Sequence, residues 1–172
     1  MTQRDLSSPG IRWIDQTCAA VGRFAAWLML FLALTTALVV IMRYGFSSGR
    51  IWLQEAGNWM HAAGFLLASA YALASGDHVR VDVFYSRFNR RQRAWVDLIG
   101  TLVLLLPLCL FILWSSLDYV ADSWRVREAS REAGGLPALY LLKSLIPISA
   151  GLLILQGLSL AWQQLRALRE RD

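Results

Sequence analysis

Few side chains in this 172-residue chain have the types and spacing that chemistry requires. His61 is the only histidine inside a long apolar run, where it could relay protons, bind haem or lie at a helix contact. His78 follows 17 residues later, which is about 25 Å along a helix, so one chain cannot place both on a single haem. Cys18 and Cys109 belong to no CxxC motif or His/Cys cluster. The sequence therefore predicts a non-enzyme that holds no metal or cofactor of its own.

Two carboxylates stand near the ends of apolar runs. Asp97 has Arg93 four residues before it, which favours an ion pair along one helix. Glu55 lies in the first turns of another run, near the expected membrane boundary, and could reach interfacial water or pair with an arginine. A carboxylate at such a depth is a functional candidate. The residues alone leave an ion pathway, helix pairing and subunit contact open for Glu55.

Four apolar runs are long enough to cross a membrane. They cover about residues 24–42, 54–75, 95–117 and 144–165. The first has 19 uncharged residues and reaches about 28 Å as a helix, close to the hydrocarbon thickness. No cleavage site follows it, so we interpret it as a retained helix. The sequence predicts an all-α integral membrane protein with four transmembrane helices and one membrane domain, residues 1–172.

The basic residues predict the orientation of these helices. Eleven of the 17 lysines and arginines lie in the two termini and the second loop, and six lie in the first and third loops. By the positive-inside rule, both termini and the second loop are cytoplasmic. Because the basic residues are spread over five segments, they form no nucleic-acid face.

Two further segments have helical apolar stripes. The second loop has apolar residues at i, i+3, i+4 and i+7, namely Val81, Phe84, Tyr85 and Phe88. This pattern predicts an amphipathic helix at about residues 79–92 that lies on the membrane surface or packs on a partner protein. A similar stripe predicts a shorter interfacial helix before the first span: Ile11, Ile14, Cys18 and Val21.

The spans differ in their side chains. The second contains the small-residue ladder Gly64-x3-Ala68-x3-Ala72, which predicts close approach of another helix. The third contains Pro107, which predicts a bend. The fourth contains Gln156, for which we expect a hydrogen bond to a neighbouring helix.

Residues 43–82 resemble the small membrane subunit of a tripartite ATP-independent periplasmic (TRAP) transporter. The matching motifs are Arg43-Tyr44, then Trp52-x-x-Glu55, then Gly76-Asp77-His78-Val79-Arg80-Val81-Asp82. The interval of 23 residues from Glu55 to His78 also fits the family. With the four-span layout, the resemblance covers nearly the whole chain. Gln54, Asn58 and Ala68 depart from the family's usual acidic residue, arginine and glycine.

The resemblance implies a small scaffold and anchor subunit of a secondary-active importer of organic acids in the bacterial inner membrane. A large membrane permease subunit would carry the substrate and ion sites, with Na⁺ as the expected coupling ion. A periplasmic substrate-binding protein would deliver the substrate. This chain would contact both partners and the lipid bilayer. Two alternatives stay open, namely a small membrane redox protein holding haem or quinone through His61, and a stand-alone four-span exporter acting as a dimer.

By position, the resemblance assigns structural roles at both ends of the second span. Glu55, with Trp52 and Arg43, is expected to brace the outer end of a helix pair, while Gly64 and Ala68 lie on the close-packed face. Three residues are expected to fix the cytoplasmic amphipathic helix: His78, Arg80 and Asp82. Three charges in the third loop form the candidate docking surface for the binding protein: Arg125, Arg127 and Arg131.

Overall fold

A computed structural model describes residues 9–75 and 88–169, and the regular structure in these two stretches is entirely helical. The helices are α1 (Pro9–Gly45), α2 (Ile51–Ser75), α3 (Arg90–Ile99), a π-helical segment (Gly100–Leu105), α4 (Leu106–Arg125) and α5 (Leu139–Arg169). Most of the amphipathic helix predicted at about 79–92 lies outside the described residues, as do His78, Arg80 and Asp82.

Three helices of the described chain are long and apolar enough to cross a membrane: Trp13–Gly45, Arg91–Arg125 and Leu139–Arg166. They contain the first, third and fourth predicted spans. The second predicted span forms α2, which has 25 residues but is not one of the three. Its many alanines and its polar residues near Glu55 lower its hydropathy. Three of the four predicted spans are thus confirmed as candidates, and the four-span count stays a prediction.

The first helix is longer than the sequence predicted. The stripe from Ile11 to Val21 does not form a separate helix, because α1 continues without a break through it and into the first span. No proline interrupts this stretch, and helix formers such as Ala19 and Ala20 link the two parts. The 37 residues of α1 extend about 55 Å, well beyond the thickness of the hydrocarbon core.

Helices α1 and α2 form an antiparallel pair that depends on glycines. A Cβ atom at Gly22 would overlap the Tyr71 ring, and one at Gly64 would overlap the Cε atom of Met29. As the residue numbers increase along α1, the residues of α2 that they contact decrease in number, so the two helices run antiparallel. The absence of side chains at both glycines allows the two helices to approach closely over most of their length.

The third predicted span is built from α3, the π-helical segment and α4. The helix departs from regular α-helical geometry just before Pro107, in the π-helical residues Gly100–Leu105. Proline has no N–H and its ring clashes with the carbonyl four residues earlier, so a wider turn at this point accommodates it. Gly157 of α5 faces this region, where a Cβ atom would lie 2.9 Å from Leu105 Cδ2.

Helix α5 is the central helix of the described chain. It contacts α1, α2, α3, the π-helical segment and α4. In its most apolar stretch of 18 residues, 33% of the residues are buried within the chain, against 6% for α1 and 11% for the helix containing α4. Helix α5 therefore positions α2, α3 and α4, whereas α1 is positioned mainly by its contact with α2.

Candidate functional site

The best-defined polar contact joins the start of α2 to the loop between α4 and α5. The Glu55 carboxylate accepts a hydrogen bond from Ser130 Oγ through Oε1. Its Oε2 atom accepts a second one from the backbone N–H of Leu136, with an N···O distance of 2.6 Å. Both partners lie in the loop of residues 126–138. Glu55 thus fastens this loop, which we call the clasp loop, over the first turns of α2.

The clasp loop is shaped to receive the carboxylate. Ser130 N–H donates to Leu136 O at 3.0 Å and closes the loop on itself. Gly134 has a φ of +83°, a conformation that favours glycine. A Cβ atom at Gly135 would lie only 2.7 Å from Glu55 Oε2. The Gly134-Gly135 pair therefore allows both the turn and the close approach, a role that the sequence analysis missed although the dipeptide is a recognisable turn signal.

A second group of contacts joins the clasp loop to α5. The Glu128 carboxylate accepts hydrogen bonds from Lys143 Nζ and from Ser123 Oγ, the latter at 2.7 Å. The hydrogen bond from Lys143, followed by that from Ser123, holds the pKa of Glu128 below its ordinary value. Lys143 Nζ also lies 4.1 Å from the centre of the Tyr119 ring, in a cation–π contact. These contacts tie the end of α4 and the clasp loop to the first turns of α5.

Trp124 adds a third link at the same end of the molecule. Its indole N–H donates to Ser144 Oγ at 2.8 Å, and its ring lies 4.6 Å from the Tyr140 ring, centre to centre. The last turn of α4 and the first turns of α5 are thereby held together beside the clasp loop.

The three arginines of the candidate docking surface lie at this end of the molecule. Arg125, Arg127 and Arg131 are all exposed. Arg125 forms a surface ion pair with Asp122 at 3.1 Å. Arg127 has a φ of 48°, a left-handed conformation that is unusual for arginine and marks the point where the chain leaves α4. The role of these arginines in docking stays a prediction.

The bracing role expected for Glu55, Trp52 and Arg43 stays a prediction. Glu55 binds the clasp loop, whereas Arg43 at the end of α1 and Trp52 at the start of α2 are exposed. Gly64 is buried against α1, but Ala68 is only half-buried. The loop contact could not be read from the sequence, because Ser130 lies 75 residues from Glu55.

A buried polar cluster joins α1 to the second half of α5. Asp15 Oδ1 accepts hydrogen bonds from Gln156 Nε2 at 3.1 Å and from Ser159 Oγ at 3.2 Å. Gln156 is 1% exposed, and Ser159 is also buried. The hydrogen bond expected for Gln156 is present, while its partner Asp15 was not foreseen.

The side chains considered for catalysis or redox chemistry are not grouped. Within residues 9–75 and 88–169, no three His, Cys, Asp or Glu side chains are placed to hold a metal ion. Cys18 and Cys109 are buried free thiols, and His61 is exposed on α2. The contacts described above fasten helices and a loop to one another.

These features define an all-helical membrane protein whose polar contacts organise its own loop and helices. The chain belongs to the family described as "Tripartite ATP-independent periplasmic transporters, DctQ component", whose profile matches residues 31–167. The resemblance found in the sequence is thus confirmed, and this chain is a membrane component of a tripartite transporter family. No curated protein and no solved structure matches it.

Proposed function

We propose that this chain is the small scaffold and anchor subunit of a secondary-active TRAP transporter that imports organic acids across a bacterial inner membrane. The family match over residues 31–167 is the observation that carries the proposal. In this proposal, a large permease subunit holds the substrate and ion sites, Na⁺ is the coupling ion, and a periplasmic binding protein delivers the substrate. The small subunit itself binds no cofactor.

The packing of α2 supports a fourth span. Helix α2 lies antiparallel to α1 along the apolar part of that helix. Gly64 packs against Met29, and a Cβ atom at Gly57 would lie 3.7 Å from Leu32 Cδ1. Its 25 residues extend about 37 Å, enough to cross the hydrocarbon core. We therefore propose four spans with both termini in the cytoplasm, which puts the clasp loop on the periplasmic side.

The clasp loop is then one of the two connections that a periplasmic binding protein would reach, the other being residues 46–50. Glu55 and Glu128 hold the loop from two sides, and its arginines point outward. A loop fixed in this way presents its charges in one arrangement, which reduces the conformational entropy lost when a partner binds. The alternative of a redox protein gains no support from the position of His61, which is exposed on α2. The alternative of a stand-alone exporter does not depend on this residue.

Uptake by the reconstituted transporter tests this proposal. We expect proteoliposomes with the large subunit, this chain and the binding protein to import the substrate, and those lacking this chain to lose most uptake. Reversing Arg125, Arg127 and Arg131 together should raise the concentration of binding protein needed for half-maximal uptake. The control reverses the charge of three basic residues near the C-terminus, Arg166 among them. Full uptake without this chain, or by this chain alone, would contradict the proposal.

A further inference from the structure

One exposed face of α2 carries polar side chains where a lipid-facing helix would carry apolar ones. The exposed residues Gln54, Asn58, His61 and Phe65 follow one another at intervals of four, three and four. This spacing places them on a single helix face. We call these four residues the polar stripe. The half-buried residues Ala68 and Ala72 continue the same face with small side chains.

In the proposed four-span topology, the polar stripe extends from the periplasmic boundary into the membrane. Glu55, which binds the clasp loop, marks that boundary. His61 is six residues further along α2, or about 9 Å deeper. Lipid tails provide no hydrogen-bonding groups, so amide and imidazole side chains at this depth are unfavourable against lipid.

An exposed apolar stripe on α4 is the comparison for the polar stripe. It consists of four large side chains, the first of them in the π-helical segment: Leu104, Leu108, Phe111 and Trp114. Phe65 on the polar stripe and Phe111 on this face are equally exposed, at 70% and 69%. The two faces thus differ in chemistry and not in accessibility.

A groove lies beside the polar stripe. Residues of α1 and α2 line this open groove, which has a volume of about 320 Å³: Leu32, Thr35, Thr36, Val39, Leu53, Gln54, Gly57 and Asn58. Gln54 and Asn58 belong to both the groove and the stripe, so the two features form one continuous surface. Gly57 contributes no side chain, which leaves space at the bottom of the groove. The groove can take a bulky side chain whose neighbours then face amide, hydroxyl and imidazole groups.

We propose that the polar stripe and this groove bind a transmembrane helix of the large membrane subunit. This inference rests on the proposed function. The occupant is a helix with one bulky side chain for the groove and hydrogen-bonding groups opposite Asn58 and His61. Such a helix satisfies the polar groups that lipid cannot, and the small residues Ala68 and Ala72 let its backbone come close. The matched family is one component of a tripartite transporter. The proposed large subunit of the same transporter is therefore a partner in the same membrane.

Photo-crosslinking tests the proposal with a matched pair of positions. Benzoylphenylalanine replaces Phe65 in one variant and Phe111 in the other, each co-expressed with the large subunit in native membranes. We expect illumination to give an adduct between the position-65 variant and the large subunit, with a yield at least about tenfold above that from position 111. Equal yields from both positions, an adduct of twice the mass of this chain, or lipid adducts alone at position 65 would overturn the proposal.

Substitution of the polar groups provides an independent readout. Asn58→Leu with His61→Leu leaves the glycine contacts between α1 and α2 unchanged, so the variant should fold and reach the membrane. Loss of hydrogen bonds between membrane helices should weaken retention of the large subunit about three- to tenfold after detergent extraction. The control variant, Trp114→Leu on α4, should retain the large subunit fully. Undiminished retention by the double variant would overturn the proposal.

Wild-type co-purification separates this inference from the proposed function. If no large membrane protein accompanies the wild-type chain, the proposed function fails. If it does accompany the chain but crosslinks elsewhere, only the assignment of the polar stripe fails.

Discussion

The two halves of α5 are held by polar contacts of different kinds. Near its start, Lys143 and Ser144 bind groups of the clasp loop and of the last turn of α4. In its second half, Gln156 and Ser159 bind Asp15 of α1 inside the helix bundle. The first set determines the shape of a loop, and the second determines how two helices lie against each other. Loss of the buried contacts should therefore affect the whole fold, and loss of the loop contacts should affect the loop alone.

Removal of the Asp15 carboxylate should have the largest effect on stability. Asp15→Ala leaves Gln156 Nε2 and Ser159 Oγ buried without their acceptor, at a cost of about 2 kcal/mol or more. Thermal unfolding in detergent should show a clearly lowered midpoint. Asp118→Ala, at an exposed carboxylate of α4, is the control and should change it little. Equal midpoints for the two variants would show that the buried cluster adds no stability.

Removal of the Glu55 carboxylate should release the clasp loop while the helices stay in place. Glu55→Ala deletes the acceptor for both Ser130 Oγ and Leu136 N–H. Trypsin should then cut after Arg127 and Arg131 several-fold faster, with little change in the unfolding midpoint. Glu55→Gln, which keeps one acceptor oxygen, should be intermediate. Glu132→Ala, an exposed acid in the same loop, is the control, and equal cleavage of it and Glu55→Ala would contradict this role.

Acid should loosen the clasp loop. The pKa of Glu128 is lowered by its hydrogen bonds from Lys143 and Ser123, so its stabilising contribution is present above the ordinary glutamate value of about 4.3. That contribution is lost as the pH falls through the lowered pKa. Trypsin cannot work in acid, so pepsin cleavage of the loop should be followed from pH 5 downward. Glu128→Gln should weaken this pH dependence, and a wild-type profile in that variant would refute the assignment.

The smallest effect is expected at Trp124. Trp124→Phe loses the hydrogen bond to Ser144 Oγ but keeps an aromatic ring beside Tyr140. A neutral hydrogen bond contributes about 1 kcal/mol, so the unfolding midpoint should fall slightly. Ser144→Ala should give a similar shift, and the double variant should add little to either. Fully additive shifts would show that the two side chains act separately.

The sequence contained most of the helical architecture but not the contacts between distant segments. Three spans and the close approach at Gly64 follow from composition and spacing. The contact between Glu55 and the clasp loop could not be predicted from the sequence. Its partners lie 75 and 81 positions after Glu55, and no periodicity connects them to it. Asp15 was missed for a similar reason, since the stripe around it was interpreted as a separate surface helix.

Helix α2 shows where hydropathy becomes ambiguous. Its alanines, glycines and polar residues allow close contact with α1 and leave the polar stripe exposed, and the same residues make it less apolar than the three candidate spans. A helix that contacts proteins on several sides does not need the apolar surface of one that faces lipid. The features that lower its hydropathy are therefore those expected of a contact helix.

Co-purification from native membranes tests the scaffold role most directly. The tagged chain would be extracted in a mild detergent, and the mass and composition of its complex would be determined by native mass spectrometry. We predict a fixed stoichiometry with one much larger membrane protein. A complex made only of copies of this chain would contradict the account.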